Sequence, residues 1–145
     1  MERGDVIYDL LIKNFLLVSD GDRQFFGQYQ LSQVRYFTLL HVSQNPQISL
    51  KELSALLLCT KGNTTRIVKS MERDAYLTRA VDQHDNRALQ LQLTEKGEEI
   101  LARMKAAYQE YNQQRFAAGD VDAEVLVVVL ARLNKQLRAA LKTGS

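Results

Sequence analysis

At 145 residues the chain is long enough for one domain with a substantial core and too short for two ordinary ones; 46% hydrophobic and 25% charged residues give it a globular balance. The formal net charge of +2 does not by itself mark a nucleic-acid binder, so the placement of charge has to decide that. A single cysteine, Cys59, excludes an internal disulfide and fits a reducing compartment.

The opening MERGDVIYDLLIKNFLLV has the look of a signal peptide, but Asp9 and Lys13 interrupt its apolar run and no small-residue cleavage site follows. No run is long enough to span a bilayer, so a soluble cytoplasmic protein without membrane partners is expected. Ile7, Leu10, Leu11 and Val18, with Phe15 and Leu16 beside them, predict a first helix that is apolar around much of its circumference and buried on two sides. Ser19 to Gln30 reads as a loop with an aromatic patch. Ser32 then caps a second helix, in which Tyr36, Leu39 and Leu40 fall at helical spacing, and SQNPQ breaks it.

Ser49 and Glu52 form a capping box that starts a short third helix containing Leu53, Leu56 and Leu57. Thr60 caps a fourth, in which Thr64, Ile67, Val68 and Met71 make one apolar stripe. Two strands follow, about Tyr76–Val81 and Arg87–Leu93, joined by a charged turn; Leu89, Leu91 and Leu93 alternate with Gln90 and Gln92 as in a half-buried strand. Thr94 caps a fifth helix, whose Ile100, Met104, Tyr108 and Tyr111 share a face. A last helix opens after Gly119 and Asp120. Its VLVVVL has strand propensity, but the stripe Leu126, Val129, Leu130, Leu133, Leu137, Leu141 outruns strand length, so helix wins.

A helix ending near Leu57, a turn through Cys59 and a helix capped by Thr60 make a helix-turn-helix. Opposite the apolar stripe of its second helix lie Lys61, Gly62, Arg66, Lys69, Ser70 and Arg73, with Asn63 and Thr65 on the flanks. Arg and Asn read guanine and adenine edges bidentately, Lys and Thr suit phosphates, and Gly62 leaves the backbone open to close approach. A solvated helix face uses the same residue types. The hairpin directly after turns the unit into a winged helix, whose tip from Gln83 to Arg87 is available to a minor groove: Arg87 suits a narrow groove, Asp85 can orient an arginine, and His84 can touch phosphate. Asp-Asn is also ordinary turn chemistry.

From Asp85 to Gly97, DNRALQLQLTEKG resembles the wing signature of the MarR family, in which D-x-R leads through an alternating strand to L-T-x-x-G. Upstream, SLKELSALLLCTKGNTTRIVKSMERDAYLTRAVD is similar to that family's helix-turn-helix, and LSQVRYFTLL fits the helix before it; residues 31–100 carry the likeness. The resemblance implies one mainly α domain, 1–145, with a small β-hairpin wing: a winged helix-turn-helix at 31–93 and dimerisation helices at 1–20 and 94–145. It implies a prokaryotic homodimeric transcription regulator, usually a repressor, that binds double-stranded operator DNA. A small molecule, often aromatic and anionic, would release it by binding between the dimerisation and DNA-binding parts. One departure is Ala75, where the family commonly has glycine; in a left-handed conformation alanine there costs about 1 kcal/mol.

Tyr36, His41, Tyr108 and Tyr111 are candidates to line a pocket for an aromatic ligand, although such residues are more often core. His41, near a helix C-terminus, is favoured as a cation. Cys59, among Leu56, Leu57 and Leu58, is expected to be a small core residue; a redox-sensing regulator is the alternative. No metal-ligand spacing, cofactor motif, nucleophile with a base, or phosphate loop is present in the sequence, which argues against an enzyme. A winged-helix module that binds protein instead of DNA is the other competing reading, with the low net charge as its support.

Overall fold

A computed structural model of the protein describes residues 1–81 and 89–143. Along these residues run α1 (Arg3–Gly27), α2 (Gln33–Gln44), α3 (Leu50–Leu57), α4 (Lys61–Arg73), β1 (Leu77–Val81), β2 (Leu89–Leu93), α5 (Glu95–Ala117) and α6 (Ala123–Thr143). The fold is mainly α with one antiparallel hairpin, and the hairpin follows a helix-turn-helix as the sequence predicts. The chain divides into two units, residues 1–103 and 104–145.

The caps form where the sequence puts them. Ser32 Oγ accepts from the Arg35 amide at 3.3 Å, Ser49 Oγ from the Glu52 amide at 3.1 Å and Thr60 Oγ1 from the Asn63 amide at 3.2 Å. Each satisfies an amide that the helix itself leaves unpaired. Between these caps, Leu39 of α2, Leu53 of α3, Val68 and Met71 of α4 and Leu91 of β2 are fully buried. Each such side chain contributes about 2 kcal/mol by leaving water, which is what closes the helices over the base of the hairpin. In the hairpin Leu77 pairs with Leu93 and Arg79 with Leu91, so these four share one face. The Leu91 amide also donates to the Ile48 carbonyl at 3.1 Å, tying the wing's base to the start of α3.

Three expectations need correction. The segment from Ser19 is helical to Gly27, because packing overrides the weak propensity of Ser-Asp-Gly-Asp. Phe26 is fully buried with its ring 5.2 Å from that of Tyr36, Gln33 Nε2 donates to the buried Asp22 carboxylate at 2.9 Å, and Asp20 pairs with Arg23. Second, α1 is not buried on two sides by its own chain: its large apolar side chains from Val6 to Leu17 are 37–69% exposed. Third, Cys59 is half-buried rather than core, because Leu58 ends α3 with φ of 54° and faces solvent while Leu56 is also exposed. The stripe of α6 is likewise open, with Val129, Leu130, Leu137 and Leu141 all exposed.

The joint between α4 and the hairpin answers the question raised by Ala75. The Tyr76 amide donates to the Met71 carbonyl at 2.9 Å and the Ala75 amide to that of Glu72 at 3.0 Å, a Schellman ending that puts Ala75 at φ of 65°. Left-handed backbone crowds a Cβ, so Ala75→Gly is expected to stabilise the protein by about 1 kcal/mol, read as a higher urea midpoint. An unchanged or lower midpoint would mean that the alanine methyl is compensated by packing.

Candidate nucleic-acid interface

The geometry begins with α4, whose buried side carries Thr64, Val68 and Met71. The opposite side puts Lys61, Gly62, Asn63, Arg66, Lys69 and Arg73 in solvent, with Thr65 half-buried. Ile67 is half-buried, at the edge of the stripe. Arg66 donates to the Asn63 side-chain oxygen one turn earlier, so the two side chains suited to reading base edges hold each other in the free protein. Thr65 Oγ1 donates to the Lys61 carbonyl at 2.9 Å, which fixes its hydroxyl against the helix. A Cβ at Gly62 would meet nothing within 4 Å. That glycine therefore serves no internal packing, and it leaves room outside.

Two residues change the picture drawn from sequence. Ser70 is not on the open face; its Oγ accepts from the Arg35 guanidinium of α2, and the same guanidinium pairs with Asp74 at 2.7 Å. Arg79 on β1 is the site residue that sequence reasoning missed. It lies on the hairpin's inward face and its Nε pairs with Glu72 Oε1 at 2.7 Å, which brings it beside α4. The signal was there: an arginine in the inward register of a strand next to the recognition helix.

Gly62, Thr65, Arg66, Lys69, Glu72, Arg73 and Arg79 together line an open groove of about 720 Å³. Four cationic side chains face one carboxylate, which Arg79 already holds. Positive charge that the chain's net +2 does not announce is gathered here, and such a groove attracts a polyanion. His84, Asp85 and Arg87, the expected wing tip, lie outside the described residues.

The candidates for ligand binding fall in both units. In residues 1–103, Tyr36 is buried at 3% exposure against Phe26, and burial pushes its phenol up from the ordinary value. His41 is half-buried with its ring 6.3 Å from that of Phe37; burial pushes its imidazole down, so desolvation outweighs the helix end and the neutral form is favoured. In residues 104–143, Tyr108 and Tyr111 are half-buried with ring centroids 6.4 Å apart, and the Arg115 guanidinium lies 4.4 Å from the Tyr111 ring. Among the described residues, no group of His, Cys, Asp and Glu is placed to hold a metal, and no helix is long and apolar enough to cross a membrane.

Known proteins share this arrangement. A family model described as the MarR family matches residues 29–88. The HTH-type transcriptional regulator BilQ of Clostridioides difficile is 32% identical over 102 residues, covering 70% of this chain and 67% of its own. The fold matches Staphylococcus aureus MarR, solved in complex with salicylate and kanamycin, at a TM-score of 0.81 and 16% identity, over 96% of this chain and 93% of that one. It also matches Staphylococcus aureus MepR, solved in complex with DNA, at a TM-score of 0.77 and 18% identity, over 90% of this chain and 94% of that one. Matched by that family model and by a relative 32% identical over two thirds of its length, the chain belongs to the MarR family of winged helix-turn-helix, DNA-binding transcription regulators, which are not enzymes.

Proposed function

We propose that this protein represses transcription in the cytoplasm as a homodimer bound to a pseudo-palindromic operator, and that a small aromatic anion releases it. The observation that carries the reading is the cationic groove along α4. In this reading Lys61, Gly62, Asn63, Thr65, Arg66, Lys69 and Arg73 meet DNA, Arg79 adds a phosphate contact, and His84, Asp85 and Arg87 act at the wing. Residues 31–93 form the DNA-binding part; 1–20 and 94–145 form the dimerisation part. Exposed apolar faces on α1 and on α6 support the dimer, since an isolated chain in water gains nothing by leaving such surfaces open. Two recognition helices then enter successive major grooves about 34 Å apart.

Release by ligand is supported by the salicylate held by the Staphylococcus aureus relative. On α5, the rings of Tyr108 and Tyr111 with the Arg115 guanidinium offer aromatic faces and a cation; Tyr36 and His41 are the candidates on α2.

Base reading and phosphate binding separate experimentally. Arg66→Ala is expected to change which sequences are preferred, at a cost of about 2 kcal/mol on the best site. Lys69→Ala is expected to weaken all duplexes alike and to lower the salt slope by about 1. Binding titrations on selected and random duplexes check both, and equal losses on the two DNAs for both variants would refute the division.

A further inference from the structure

We propose that Arg35 is a positioning residue for DNA recognition: from α2 it fixes the C-terminal end of α4, and so the angle at which the helix's outer face meets DNA. The inference rests on α4 being the DNA-reading helix. One guanidinium nitrogen pairs with Asp74 Oδ2 at 2.7 Å and another donates to Ser70 Oγ. Ser70 is in the last turn of α4 and Asp74, four residues on, is its C-cap, so the fork grips two points along the axis. A two-point attachment fixes rotation as well as distance. A lysine ammonium, which is a point charge, would not do the same.

Of the other contacts of α4, the Glu72–Arg79 pair ties its hairpin side to β1, and among the described residues none but Arg35 grips its α2 side with directional bonds. Val68 and Met71 are buried, but apolar contact is non-directional and tolerates a small swivel. Arg35 itself is well placed to resist one. It is 22% exposed, in the first turn of α2, where its own amide donates to the cap Ser32 and its neighbour Tyr36 is buried. Asp74 extends the link: its carboxylate goes to α2 while its carbonyl accepts from Lys96 Nζ of α5 at 2.8 Å. The end of the recognition helix is thus pinned between two other helices. Since Asp74 is 48% exposed, the pair contributes little to stability, and its effect is expected in recognition instead.

The test uses the full-length protein, duplexes selected by the wild type from a randomised pool, and random duplex as reference. Arg35→Gln and Asp74→Asn are each expected to lower affinity for the selected duplex about tenfold, the scale of one slackened base-edge contact. Affinity for random duplex should stay within about twofold, because phosphate contacts do not depend on register. The thermal midpoint should hardly move, and Asp74→Glu, which keeps the carboxylate, should recover most of the preference. Wild-type preference in both variants, or parallel loss on both DNAs, overturns the clamp alone. If Arg35→Gln fails to fold, the more exposed Asp74→Asn decides by the same criteria. A wild type that enriches no sequence overturns the DNA-reading proposal and the clamp with it.

Discussion

Gly97→Ala is expected to cost the protein about 2 kcal/mol of stability, the net of two opposed effects. Gly97 is in the first turn of α5, where its amide donates to the Thr94 cap at 3.0 Å. A Cβ built there would lie 2.3 Å from the Tyr76 carbonyl oxygen, 3.3 Å from the carbonyl carbon and 3.6 Å from Leu39 Cδ2. Neither of the first two atoms belongs to a flexible side chain, so backbone has to move. The carbonyl in question is also the acceptor for the Thr94 amide at 3.0 Å, while Thr94 Oγ1 donates to the Ala75 carbonyl at 2.5 Å. Relieving the clash loosens both bonds, and overpacking of this kind costs about 3 kcal/mol. Alanine's better helix propensity offsets about 1 kcal/mol of that. Urea denaturation measures the difference; a stability equal to wild type would mean that the helix and hairpin are not in the contact described.

Charging the open stripe of α6 should have the largest effect on function. Leu130 and Leu137 are exposed at 47% and 52% in the isolated chain, and in the proposed homodimer this stripe belongs to the dimerisation part. Leu130→Asp with Leu137→Asp is expected to give a monomer by sedimentation at concentrations where the wild type is a dimer. Burying an unpaired carboxylate costs several kcal/mol, more than the transfer of two leucines returns. Operator affinity should fall at least a hundredfold, because the second half-site is then no longer captured intramolecularly. Far-ultraviolet circular dichroism separates this from unfolding. A variant that stays dimeric and binds normally would place the subunit contact elsewhere.

Local chemistry was legible in the sequence. Ser32, Ser49, Thr60 and Thr94 mark helix starts because a cap needs only its own few residues, and the Thr64, Val68, Met71 stripe and Leu91 of β2 declare their inward faces by spacing. Contacts between distant residues were not. The Arg35–Ser70 bond joins residues 35 apart, and the Arg79–Glu72 pair depends on how a strand folds back on a helix. The helical run through Ser19–Gly27 depends on Phe26 and Asp22 finding partners in α2, which no local propensity expresses. The exposure of α1 was misjudged for a related reason: an apolar helix in a sequence does not say whether its own chain or another covers it.

The most direct measurement is a binding titration of the purified protein on the DNA upstream of its own gene, against random competitor, at several salt concentrations. Tight, competitor-resistant binding is expected, weakening about a thousandfold between roughly 50 and 200 mM salt as about six phosphate contacts require. Weak binding that is equal on both DNAs, or none at low salt, would contradict that expectation.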